Sequence, residues 1–566
     1  MSDKQLAVLG DEAVALGAIH AGMSVAYGYP GTPSTEILEY LIAEYEKNDG
    51  APIARWCSNE KTALEAALGV SFAGRRSLVT MKHVGLNVAS DAFINAALLG
   101  IKGALVIAVA DDPGMHSSQN EQDSRFYATF AMTPCLEPRS QQEAYDMTRE
   151  AFAISQRFQV PVMLRLATRL SHARAAITTQ NVEAQKPVEK TREKERWMLL
   201  PAFARKNYTA LIEKQREIQS WSVAHPANKL ELPDKSGGKY DLAVITAGLG
   251  GNYYEENLAD LIVMRNGKVP AWLHIGAYPL PEESIRALCA VSEKVLVIEE
   301  GQPLIEKRLR GLLPQSVEIF GKLDGGVSAG NSKANQREAM IGPGPVVRTG
   351  ELDPDNVRTA LGLPPRPSAA VSIGMNIPPR PPQLCQGCPH ADSYETIKKA
   401  VALIDSRPGH PDVGINSDIG CYSLGAAPPY QVPESIVCMG ASVGMAKGAA
   451  DAGLPYSIAV IGDSTFIHSG ITGLIDAAAA DIPMTLVILD NSIVAMTGCQ
   501  PTMIPSEKMR ALILGCGVKP DHLLELEAKK QLIEQNTARL KAEIEHRGLS
   551  VVIFQRECLE ALRKQK

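Results

Sequence analysis

The sequence predicts an α/β protein with at least two doubly wound parallel sheets. Three observations carry this prediction. Apolar runs of strand length alternate with Ala-rich helical stretches through the first 180 residues, the pattern of a sheet covered by helices on both faces. Most of the runs end in Pro, Asp or Lys, so polar loops follow the carboxyl ends of strands, where open α/β sheets bind ligands. The same alternation returns twice further along the chain.

The candidate strands of the first region are SVAYGYP (24–30), SLVTMK (77–82), ALVIAVAD (104–111) and VPVMLRL (160–166). Residues 183–236 break the pattern with charges of both signs at helical spacing and predict a solvated linker helix. From Tyr240, the runs YDLAVITAG, KVPAWLHIGA and KVLVIEEG predict a second α/β unit, followed by a Gly-rich loop. Residues 364–384 hold seven prolines and predict an extended linker. The last region has the strands YSIAVIGD, MTLVILDN and LSVVIFQR, and looks like a second copy of the first fold. The expected division is therefore 1–182, a linker 183–236, 237–363, a linker 364–384, and 385–566.

Length and composition narrow the class. A chain of 566 residues predicts three or four domains. Apolar residues at 45% and charged residues at 21% fit a globular protein with large cores. A net charge of −6, with no long block of one sign, argues against a nucleic-acid partner. The segment MSDKQLAVLGDEAVALGAIHAG lacks the pattern of a signal peptide, and no apolar run approaches membrane-spanning length. A cytoplasmic location is expected. Ten cysteines without an export signal point to buried thiols and metal or cluster ligands rather than disulfides.

The most specific local signal is IGDSTFIHSG followed by LDNSIVAMTG. One apolar strand ends in Gly462-Asp463, a helical stretch follows, and the next strand ends in Asp490-Asn491. This resembles the thiamine-diphosphate motif. Magnesium takes about six oxygen ligands and draws several from phosphates. Asp463 offers charge, Asn491 an amide oxygen, and the Ile493 carbonyl a third protein ligand. Gly462 allows close approach of the chain, and the helix opening after Ser464 offers amides to phosphate. Gly-Asp and Asp-Asn are also common turn dipeptides at strand ends, so the spacing alone does not decide.

Thiamine chemistry also needs a carboxylate against the pyrimidine ring, kept out of water. Glu60, in RWCSNEKTALEAALG, stands in the first turn of an Ala-rich helix. An acid there equally serves the helix dipole. Cys385 and Cys388 form CQGCPH; Cys421 lies in SDIGCYSLG, and Cys558 ends the run VVIFQREC. Four thiolates fit one zinc or one [4Fe–4S] cluster, and spacing does not separate the two. Cys289 and Cys438, in apolar runs, are expected in the core, and Cys516 at a helix end.

With these residues in place, the sequence resembles the large subunit of indolepyruvate:ferredoxin oxidoreductases, within the 2-oxo-acid:ferredoxin oxidoreductase superfamily. YGYPGTPSTEI, NEKTALEAALG, TMKHVGLN and VADDPGMHSSQNEQDSR resemble its pyrimidine-binding domain; CQGCPH, DIGCYSLG, MGASVGMAKG, GDSTF and AMTGCQPT resemble its diphosphate-binding domain. The resemblance implies a thiamine-diphosphate-binding fold, with these two doubly wound domains and a transketolase C-terminal-like α/β domain between them. It implies Glu60 as the pyrimidine-activating acid, Thr32 near substrate and cofactor, and Arg125 as a substrate-side arginine gripping a carboxylate or coenzyme A phosphates. His83 is a further candidate, although a lone histidine after a strand is often structural. Asp463, Asn491 and Ile493 match the Mg2+ ligands, with Gly462, Ser464, Thr497 and Gly498 completing the cofactor site. Cys385, Cys388, Cys421 and Cys558 match the ligands of a proximal [4Fe–4S] cluster.

Two departures accompany the resemblance. The chain stops eight residues after Cys558, where the family usually continues into a ferredoxin-like tail, so an external carrier, ferredoxin or another, is expected. Cys499 stands in TGCQPT where the family typically has histidine, which bears on substrate choice or proton transfer. The implied reaction converts a 2-oxo acid, such as an aryl pyruvate, and coenzyme A to acyl-CoA, carbon dioxide and two electrons. The implied assembly is a homodimeric core with a small second subunit. A non-oxidative thiamine-diphosphate decarboxylase would need no cluster, and a catalytically silent relay subunit would not need Glu60, Asp463 and Asn491.

Overall fold

Strands apolar on both faces have to be covered on both faces, and the longest runs form the centres of parallel sheets. The computed structural model describes residues 5–47, 52–189, 197–233, 238–312, 317–323, 344–347, 349–366, 383–405 and 413–564. Two compact units result, Met1–Val371 and Ser372–Lys566.

The first unit holds two large sheets. In one, Ile53–Trp56, Val25–Gly28, Arg76–Lys82, Ala104–Asp111, Val162–Ala167 and Cys135–Leu136 lie side by side, all parallel. Numbered along the chain, their order is 2-1-3-4-6-5. Arg76–Lys82 and Ala104–Asp111 are buried at every position. The short strand Ala277–Tyr278 joins the edge antiparallel to Cys135–Leu136. The other large sheet runs Glu318–Phe320, Lys294–Ile298, Ala243–Ala247, Ala271–Ile275 and Lys229–Glu231, parallel except for the last.

The second unit has one large sheet, Ser435–Ile436, Val413–Ser417, Tyr456–Gly462, Met484–Asp490, Ser550–Gln555 and Leu523–Glu527, entirely parallel. Its order is again 2-1-3-4-6-5. The resemblance between the first and last regions is therefore one of topology.

Three expectations need correction or limit. The charged stretch is not a free linker. Its helix, Pro201–Ala224, buries Leu211, Ile218 and Ser222 on one stripe, and the Gln215 and Gln219 amides donate to the carbonyls of Met132 and Leu280 at 3.0 and 2.7 Å. Cys438 is exposed, unlike the buried Cys289, because it follows a two-residue edge strand. Residues 367–382 of the proline-rich stretch lie outside the described residues, as does most of the Gly-rich loop. Among the described residues, no helix is long and apolar enough to cross a membrane.

A buried ion network joins the sheets of the first unit. Arg125 pairs with Asp123 at 2.6 Å and Glu299 at 3.1 Å. Arg165 pairs with Asp111 at 2.7 Å and with Glu137, which accepts the Tyr278 hydroxyl at 2.6 Å. Charges this deep persist only when paired. Burial would raise Asp123, but Arg125 and Arg165 hold it down at about 2. Glu300 is pushed up to about 7 by burial, against the pull of the Leu352 amide, Arg165 and Lys322.

An unfolded glutamate titrates near 4.3. Between that value and about 7 the folded protein holds the extra proton, so the contribution of Glu300 to stability is lost as pH rises through this window. Glu300→Gln keeps an acceptor for the Leu352 amide and removes the titration. Relative to wild type, its thermal midpoint is expected to be higher at pH 8 than at pH 5 by a few degrees, read by circular dichroism; an equal offset at both pH values would refute the assignment.

Candidate active site

In both 2-1-3-4-6-5 sheets the first and third strands are neighbours whose onward connections run to opposite sides. A crevice opens at their carboxyl ends. Thr32, Lys82 and His83 adjoin these ends in the first unit, and Gly462 and Asp463 in the second.

In the first unit the turn after Val25–Gly28 is held by the Thr35 hydroxyl, which accepts from the Gly31 amide at 2.9 Å, and by the Ser34 hydroxyl, which donates to the Gly31 carbonyl at 2.8 Å. Thr32 is half-buried there, and its carbonyl accepts from Ser117 Oγ at 3.2 Å. Glu60 opens the helix Glu60–Phe72, capped by Asn59, whose side chain accepts from the Thr62 amide at 2.8 Å. An acid serving only the helix dipole would face water. Glu60 is 4% exposed. Its carboxylate lies on Gly85, where a Cβ would stand 2.5 Å from Oε1. His83 opens the next helix, His83–Leu99; its Nε2 is 3.0 Å from the Asn120 carbonyl, and its buried Nδ1 has no partner among the described residues.

Arg125, expected at the substrate, is instead engaged within the fold. Its Nε faces both Asp123 oxygens at 2.9 and 3.2 Å. One terminal nitrogen meets Tyr278 Oη at 3.2 Å and Glu299, and the other Asp123 and the Glu300 and Gln302 carbonyls at 2.9 and 3.0 Å. A guanidinium has five N–H donors; all are taken, and none is left to fork onto a substrate carboxylate. Lys82, which the sequence reading missed, ends the strand beside this crevice.

In the second unit Asp463 accepts from the Ser464 and Ser492 amides at 2.7 and 2.8 Å. Burial, and then the neighbouring Asp490 carboxyl, hold its pKa far above the usual range. Asp490 Oδ2 and Ser464 Oγ are buried without partners among the described residues. Two buried carboxyls, no paired cation among the described residues and an amide oxygen nearby form an oxygen-only set, which suits a hard divalent ion. Asn491 is oriented by a residue the sequence reading did not single out. Its Nδ2 donates to His390 Nε2 at 3.2 Å, and burial, then Arg556, pushes His390 down to about 4, keeping it a neutral acceptor. With the amide nitrogen occupied, Oδ1 is the end turned toward other partners. Ile493–Val494 pairs with Gln500–Pro501 as a short hairpin, closed by Thr497 Oγ1 donating to Gln500 at 2.6 Å. Cys499 in this hairpin has φ +71. The Gly462 position admits no side chain: a Cβ would lie 2.5 Å from the Tyr422 ring.

The four candidate thiols gather beside this loop. Burial raises Cys388 to about 11, with Cys385 and Cys558 among the lesser causes. Burial likewise raises Cys421 to about 12, with Cys388, Cys558, Cys385 and Cys499 as neighbours. Among the described residues, no three His, Cys, Asp or Glu side chains meet around a point where one ion would sit. The loops are bolted together. The Cys558 amide donates to the Asn491 carbonyl at 3.3 Å and the Arg556 amide to the Asp490 carbonyl at 3.1 Å. The Arg556 guanidinium reaches Asp392 at 2.6 Å and the Gly387 carbonyl inside CQGC. Gly387 turns at φ +78, which glycine adopts without strain.

Residues 16–234 match the family described as pyruvate flavodoxin/ferredoxin oxidoreductase, thiamine diphosphate-binding, and residues 418–553 match the C-terminal binding domain of thiamine pyrophosphate enzymes. The indolepyruvate oxidoreductase subunit IorA of Archaeoglobus fulgidus is 36% identical, over 97% of this chain and 86% of its own length. The chain belongs to the indolepyruvate oxidoreductase subunit IorA family. It is a thiamine-diphosphate-dependent oxidoreductase of the 2-oxo-acid class. The IorA subunit of Methanothermobacter marburgensis is 35% identical, over 98% of this chain and 87% of its own. A solved 2-oxoglutarate:ferredoxin oxidoreductase from Magnetococcus marinus aligns at a TM-score of 0.47 and 17% identity, over 56% of this chain and 62% of that one.

His390→Ala frees the Asn491 amide to rotate. Groups that orient metal ligands typically matter about tenfold to a hundredfold in affinity. Isothermal titration with thiamine diphosphate in Mg2+ is expected to show a loss of that size, and an unchanged affinity would remove His390 from the site.

Proposed function

We propose that this chain catalyses oxidative decarboxylation of an aryl 2-oxo acid such as indolepyruvate or phenylpyruvate. Coenzyme A takes the acyl group, and two electrons leave through a [4Fe–4S] cluster to an external carrier. The observation that carries this reading is the sharing of one scaffold by two sites. The Asn491 loop is bonded to His390, two residues beyond the CQGC motif, and to the backbone of Cys558. Full-length relatives named as indolepyruvate oxidoreductase subunits support the substrate class.

Asp463, Asn491 and the Ile493 carbonyl would hold Mg2+, and Gly462, Ser464, Thr497 and Gly498 would line the diphosphate. When bound, thiamine diphosphate supplies the electron sink that allows loss of carbon dioxide from a 2-oxo acid. Glu60, kept from water on Gly85, would hold a proton against the aminopyrimidine. Cys385, Cys388, Cys421 and Cys558 would hold the cluster. A single zinc needs its thiolates converging at about 2.3 Å from one point, whereas each cysteine of a cubane binds a different iron and stands further off. As a subunit, the chain would work with a smaller oxidoreductase partner, in a homodimeric core.

Anaerobically purified complex is expected to contain about four irons and four sulfides per chain and to reduce viologen dye with an aryl 2-oxo acid and coenzyme A. Turnover without iron would leave the non-oxidative reading in its place. Glu60→Gln is expected to lower kcat by about a hundredfold to ten-thousandfold, with cofactor affinity within a few-fold of wild type. Retained turnover would remove Glu60 from the chemistry.

A further inference from the structure

The ammonium of Lys82 stands at the crevice of the first sheet. The stem lies along the Thr32 turn, where a Cβ on Gly31 would be 3.1 Å from Lys82 Cδ. The residue is 9% exposed. An ammonium has three donors. Among the described residues one is used, by the Ser117 carbonyl at 3.0 Å, and no carboxylate forms an ion pair with it. Burial pushes its pKa down to about 8, against the pull of Asp112 and Glu60. Asp112 is occupied elsewhere, accepting from the Ser117 amide and the hydroxyls of Ser118 and Thr168 at 2.8, 2.7 and 2.8 Å. A buried cation with donors to spare is costly unless an anion completes it.

Resting on the reading that this chain acts on a 2-oxo acid, we propose that Lys82 holds the substrate's carboxylate beside the Thr32 turn. Two facts select it. Arg125, the cation expected from the sequence, has no donor left. Lys82 ends a central strand of the sheet that carries Glu60, and the Glu60 carboxylate is near enough to favour its charged form. A point charge with rotatable donors binds a carboxylate without demanding the planar fork of arginine. Because the carboxylate leaves as neutral carbon dioxide, this contact belongs to the bound substrate more than to later steps. Its loss is therefore read in KM before kcat.

The test uses the complex reconstituted with its partner subunit, and Lys82→Met, which keeps the stem and removes the charge. KM for an aryl 2-oxo acid is expected to rise about tenfold to a hundredfold, with a smaller change in kcat. A second measurement needs no turnover: wild type should be inhibited more strongly by an arylacetate than by the matching arylacetamide, and the variant should not distinguish them. If Lys82→Met folds poorly, Lys82→Gln, which still donates to the Ser117 carbonyl, carries the same expectations. A preserved preference for the acid in a folded variant overturns the assignment. So does a loss of thiamine diphosphate affinity with that preference intact, which would make Lys82 a support for Glu60. Wild-type complex that neither binds nor consumes any aryl 2-oxo acid overturns the functional reading instead.

Discussion

The strand order of the two doubly wound sheets constrains everything else. When a first and a third strand lie side by side and their connections depart to opposite faces, the backbone cannot close over their carboxyl ends. The polar loops left there are exempt from core packing and free to carry chemistry. At one sheet this edge carries Thr32 in a turn, Lys82 at the end of its strand and His83 at the start of a helix, with Glu60 opening another helix. At the other it carries Asp418, Cys421, Gly462 at the end of its strand and Asp463 at the start of a helix.

The second crevice shows how such loops become a precise site. Tyr422 packs its ring over Gly462 and bonds its hydroxyl to Asp418, which burial pushes up to about 6 and which accepts from Ser442 Oγ at 2.6 Å. Tyr394 donates to the Tyr422 carbonyl at 2.8 Å. The cysteine-bearing segments are thus held by core aromatics on one side and by the Asp490–Asn491 loop on the other. Local cooperation of this kind fixes side chains better than any single bond, because each group's freedom is removed by several partners.

Buried charge is used in two ways in the first unit. Arg125 is saturated by Asp123, Glu299, the Tyr278 hydroxyl and two backbone carbonyls, so it has nothing left to offer a ligand; with Arg165 it ties together the elements of this unit. Lys82 is buried but unsaturated. The difference lies in the count of donors against acceptors rather than in charge or depth, and it reverses the roles that residue type alone would assign.

The sequence by itself determined the features that are local along the chain: the central strands, whose two buried faces demand continuous apolar runs; Glu60 at a helix start; the Gly-Asp…Asn spacing; and the CQGC turn with its glycine. Two-residue strands such as Cys135–Leu136 and Ser435–Ile436 were too short to leave a periodic signal, and the one buried stripe of Pro201–Ala224 was hidden among charges. Only the tertiary structure decided which donors were already spent. The Glu300 and Gln302 carbonyls that Arg125 meets, in the loop after Lys294–Ile298, lie 175 and 177 positions away, and His390 meets Asn491 across 101. A contact between residues so far apart exists only after both sheets have folded, so no reading of local pattern could supply it.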